Sequence, residues 1–152
     1  MGRCTITLVL RKALASLNDV RKHVAHYATG IVLAHLLVNI VHAAAHVRLG
    51  ILLGPAGTVF VISVIVFCPL LAATLLWTSY RQFGWALLAL SMAGAFAFGL
   101  YNHFVAMSPD RVEQQSPGAW AAAFAITAHL LLLTEAAGSC MGAYYWSRRS
   151  DA

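Results

Sequence analysis

His35, Asn39, His42 and His46 interrupt a run of residues that is otherwise almost wholly apolar. At 100° per helical residue these four fall within a sector of about 60°, so a helix carries them on one face. Ionisable groups in so apolar a stretch are costly unless they face a protein interior or a cavity, which marks the face as a candidate site. His42 and His46 also stand at the i, i+4 spacing that lets two imidazoles approach one metal ion. Imidazole suits zinc, copper and iron alike. His103 and His129, on later segments, could complete a four-coordinate site, with Asp110 or Glu113 approaching from the loop that follows His103.

Depth sorts these groups into two levels. On a first helix rising outward at 1.5 Å per residue, His42 lies about 10 Å beyond His35, and His46 about 6 Å further. A third helix running the same way brings Asn102 and His103 to that outer level. A fourth, descending, places His129 slightly outward of the middle and Glu135 slightly inward. An outer group of His42, His46, His103 and His129 and a central group of His35, Asn39, His129 and Glu135 are therefore expected. The outer group could hold a transition metal ion (zinc, copper or iron), or two opposed histidines could grip a b-type haem. His35, Asn39, Asn102, Glu135 and Asp110 are candidate supporting or proton-relay groups. Against both stands the plainer role of histidine and asparagine as hydrogen-bonding bridges between helices, worth about 0.6–2 kcal/mol each.

The elements that must position these residues follow from composition. Of the 152 residues, 61 % are hydrophobic and 10 % charged, against about 25 % charged in ordinary soluble proteins. Uncharged apolar runs of about 20 residues are long enough to cross a bilayer as helices, the form that satisfies its own backbone there. Four such spans are expected, at about residues 24–47, 58–80, 84–107 and 119–146, giving an all-α, integral membrane four-helix bundle. Residues 1–23 form a basic segment whose apolar positions from Ile6 to Val20 suit a short interfacial helix, and 147–152 form a tail. Pro69 should bend the second span, which has no ionisable group and is expected on the lipid side. Ser91, Ala95 and Gly99 make a ridge of small residues expected to pack the third helix closely against the first.

Placing the N-terminus inside puts Arg3, Arg11, Lys12, Arg21, Lys22, Arg81, Arg148 and Arg149 on the cytoplasmic side and only Arg48 and Arg111 outside. That bias predicts a multi-pass protein of the cell membrane with both termini cytoplasmic. The net charge of +5 then reflects topology and attraction to anionic lipid, and no aromatic-basic groove suggests nucleic acid. The expected partners are the bilayer and, where the chain works in an assembly, other membrane subunits or further copies of itself. Cys4, Cys68 and Cys140 are too scattered to suggest a disulfide or a thiolate site. The chain lacks G-x-S-x-G, H-E-x-x-H and a phosphate-binding glycine loop. The motifs leave three readings open: a metal or haem protein acting on a lipid-soluble substrate, a non-catalytic accessory subunit, and a small proton-coupled transporter relaying through His35, His129 and Glu135. Whether the chain is an enzyme is open with them.

Overall fold

The structure, a computed structural model, describes the backbone of residues 2–148 and the side chains from residue 19 onward, residue 21 excepted. The fold is a four-helix bundle, with four helices long and apolar enough to cross a membrane. Helix α1 spans Gly2–Leu49, α2 Pro55–Leu75, α3 Arg81–Val105 and α4 Ala119–Ser147. Where a separate interfacial helix was expected, the backbone of α1 continues into the first span without a break. The side chains from Ile6 to Leu17 lie outside the described residues, as do those of Cys4 and residues 149–152.

α4 sits centrally, packing most extensively against α3 and α1. Its small residues allow this: a Cβ on Gly142 would meet the Ala89 backbone nitrogen at 2.6 Å, and one on Gly138 would meet the Met92 side chain at 2.7 Å. Met92, Leu88 and Trp85 of α3 join Ala25, Ala28 and Val32 of α1 in the inner core. The partner of the third helix is therefore chiefly α4, not α1 as the small-residue ridge suggested. Ser91 and Ala95 are buried, but Ala95 and Gly99 line a cavity instead of sealing an interface.

α2 is the most peripheral helix and touches α1 chiefly through its last segment, Cys68–Leu75. Its middle, Val61–Phe67, winds as a π-helix, in which the Cys68 N–H donates to the Ser63 carbonyl five residues back. Pro69, which has no N–H to donate, follows at once. The widened turns thus absorb the proline, and α2 ends at Leu75, short of the expected Tyr80. Trp77, in the turn beyond it, donates through Nε1 to Thr29 Oγ1 at 3.1 Å.

At the opposite end of the bundle, here called outer, α1 closes on Gly50. Its φ of 69° is a left-handed conformation that glycine adopts without strain. The Ile51 N–H returns to the His46 carbonyl at 3.0 Å, which turns the chain back over the end of α1.

Candidate metal centre

The polar stripe of α1 faces inward. His35 and His42 are buried and His46 nearly so, while Leu33, Leu37, Ile40 and Val47 cover the opposite, exposed face. His103 reaches the same place from a different geometry. The last turn of α3, Tyr101–Val105, is π-helical, with the Ala106 N–H donating to the Tyr101 carbonyl at 2.7 Å, and His103 is buried within it. π-turns inside α-helices often accompany functional sites, since they re-aim a side chain.

Three ring nitrogens converge. His42 Nε2 lies 3.2 Å from His103 Nε2 and 3.1 Å from His46 Nε2, and one ligand atom from each ring falls within 4.8 Å of the others. Their opposite nitrogens decide what those atoms carry. His46 Nδ1–H donates to the Ile51 carbonyl at 3.2 Å, and His103 Nδ1–H donates to the Asp110 carbonyl at 3.1 Å. His42 Nδ1 meets Thr127 Oγ1 at 2.8 Å. That hydroxyl donates to the Ala123 carbonyl at 2.7 Å, so it accepts from His42. A neutral imidazole protonated at Nδ1 has a lone pair at Nε2. With all three rings neutral, the lone pairs face one another, an arrangement that a cation between them, a metal ion or a shared proton, would relieve.

The carboxylate of Asp110 sharpens this need. Its Oδ1 lies 3.4 Å from His46 Nε2 and 3.3 Å from His103 Nδ1, and both carboxylate oxygens are enclosed without a hydrogen bond. A buried carboxylate calls for a compensating positive charge. Nitrogens bound tetrahedrally at 2.0–2.1 Å would stand about 3.3 Å apart, close to the two separations found. Phe124, fully buried on α4, closes the other side: it stacks on His42 at 4.8 Å between ring centroids and meets His46 edge-on at 5.0 Å.

The remaining candidates separate. His129 is exposed, donates from Nδ1 to the Ala125 carbonyl of its own helix at 2.7 Å, and packs on Phe104 away from the three rings. It joins neither level, because the inward face of α4 is the one carrying Phe124, Thr127, Leu131 and Glu135. Asn102 donates to the Phe98 carbonyl at 2.9 Å, again within its own helix. Glu113 is exposed and paired with Arg111 at 2.6 Å. His23 and His26 are exposed near the other end, each bonded to a carbonyl four residues earlier.

The central level holds His35, Asn39 and Glu135. His35 Nε2 lies 3.2 Å from Glu135 Oε1, and the Asn39 amide reaches His35 Nε2 at 3.1 Å. The two levels border one cavity of about 360 Å³, lined mainly by apolar side chains, with the three histidines, Asp110, Asn39, Thr58 and Glu135 as its polar groups. Comparison of the chain with family models, curated proteins and solved structures finds no match.

Proposed function

We propose that this chain is a multi-pass membrane protein that binds a transition metal ion (zinc, copper or iron) through the Nε2 atoms of His42, His46 and His103. The ion works in redox or catalytic chemistry on a lipid-soluble substrate. The observation that carries the reading is the convergence of three Nε2 lone pairs, each fixed by an acceptor on the opposite nitrogen. Three protein ligands with a position left open is the pattern of catalytic metal sites, in contrast to the closed four-ligand pattern of structural ones. Asp110, beside His103 Nδ1, holds that ring in its tautomer, and its carboxylate helps retain a cation.

A bare ion fits better than haem. Two trans imidazoles bound at about 2 Å each would stand about 4 Å apart with the macrocycle between them. His42 and His103 approach to 3.2 Å with Phe124 stacked alongside, which leaves no slot for a porphyrin. Elemental analysis and an optical spectrum of the purified protein test this directly. About one equivalent of metal without a Soret band is expected. A Soret band would point to haem, and neither metal nor Soret band would leave the histidines as helix bridges in an accessory subunit.

A further inference from the structure

The cavity has a second polar end that the metal centre does not use. Glu135 is 2 % exposed; its Oε1 faces His35, but its Oε2 is enclosed without any hydrogen-bond partner. Glu135 lines the cavity, and its Oε2 lies 3.8 Å from where a Gly99 Cβ would stand, with His103 Cδ2 3.9 Å from the same point. Gly99 thus adds no side chain between the carboxyl group and His103 where all three residues line the cavity. With the acidic proton of the pair held between His35 Nε2 and Oε1, Oε2 offers only lone pairs and asks for a donor.

We propose that the cavity binds an apolar molecule bearing a hydroxyl group, an alcohol or a phenol, whose O–H donates to Glu135 Oε2 while its body lies against Ile65, Ala95, Phe98 and Leu131. Entry is lateral. Ala43, Val47, Leu52 and Thr58 line the cavity and are themselves exposed, so it opens between the outer halves of α1 and α2, where those helices have parted. A ligand entering from lipid through this gap passes the histidines on its way to Glu135. The inference deepens the metal reading by naming the class of molecule held beside the ion, and its test needs no ion.

The probe is 4-hexylphenol, compared with its methyl ether, titrated calorimetrically into metal-stripped protein in detergent micelles. Saturable binding of the phenol is expected, about tenfold tighter than the ether, which cannot donate; that is the worth of one buried hydrogen bond. Glu135→Leu should abolish the difference. Glu135→Gln should keep it, since the amide can turn its N–H₂ to His35 and its oxygen to the cavity. Gly99→Leu should remove binding of both probes while the Glu135–His35 pair stays intact, which serves where Glu135→Leu fails to fold. Equal affinities for phenol and ether overturn the proposal, as does absence of saturable binding, including the case in which water alone solvates Oε2. A chain that binds phenol but no metal would sink only the metal reading, and the reverse result only this one.

Discussion

Each histidine of the centre is held by a different neighbour, so each should fail in its own way when that neighbour is changed. If the cluster holds a metal ion, replacing His42, His46 or His103 by Ala would remove a direct bond, and metal content measured after dialysis should fall sharply for any of them. His23→Ala and His26→Ala, at exposed positions far from the centre, should leave it unchanged. Thr127→Val is the finer probe. It keeps the shape of the side chain but removes the acceptor that fixes the His42 tautomer, and losses of such supporting partners typically cost 10–100-fold in metal affinity. A competition titration against a chelator should find a loss of that order; unchanged affinity would mean that the tautomer is set in another way. Acidification should release the ion as well, because a proton on Nε2 occupies the lone pair the metal needs. At this scale the histidines of α1 and His103 were legible from spacing and depth. The α4 contribution was not: Thr127 and Phe124 are ordinary residues for an apolar helix, while the conspicuous His129 points outward.

The elements add what residue types cannot express. An uninterrupted α-helical end to α3 is what the sequence leads one to expect at His103, yet the π-turn at Tyr101–Val105 re-aims that ring. An i→i+5 ladder has no composition of its own, so the feature is invisible until neighbouring helices impose it. The same holds for Val61–Phe67, where the sequence exposes only Pro69 and not the widened turns before it. The Gly50 turn is easier to read, since glycine after the last apolar turn is a common helix stop. Its consequence is local and testable. Gly50→Val forces a β-branched residue into a left-handed conformation costing about 1–2 kcal/mol, and relief of that strain would move the Ile51 carbonyl off His46. A lower metal affinity with only a modest fall in unfolding temperature is the expected pairing. Gly142→Leu should do the opposite. Its side chain would press into the Ala89 backbone, where even a Cβ would stand at 2.6 Å. Overpacking of this kind costs at least about 1–3 kcal/mol. The loss should appear in thermal unfolding of the whole bundle, with metal affinity little changed in the fraction that folds.

Taken whole, the molecule concentrates its chemistry in one half. The three histidines, Asp110 and the cavity mouth all gather where α1 ends, α2 begins and the 106–118 loop crosses. At the other end Lys22, Arg81 and Arg148 flank the apolar segments, while Arg48 and Arg111 lie at the end of the histidines. Lys and Arg are retained on the cytoplasmic side during insertion, so this asymmetry predicts a bundle with the histidine cluster toward the outer face. Orientation decides which compartment supplies the ion and from which leaflet a lipid-soluble ligand enters. In a cysteine-free background, Gln114→Cys places a thiol on the loop beside the centre and Ser79→Cys places one in the turn between α2 and α3, both at exposed positions. A membrane-impermeant maleimide applied to intact cells should label Gln114→Cys at once and Ser79→Cys only after permeabilisation. The opposite pattern would turn the bundle over. The histidines would then load from the cytoplasm, and a site facing reducing conditions and buffered metal would have to compete there for its ion.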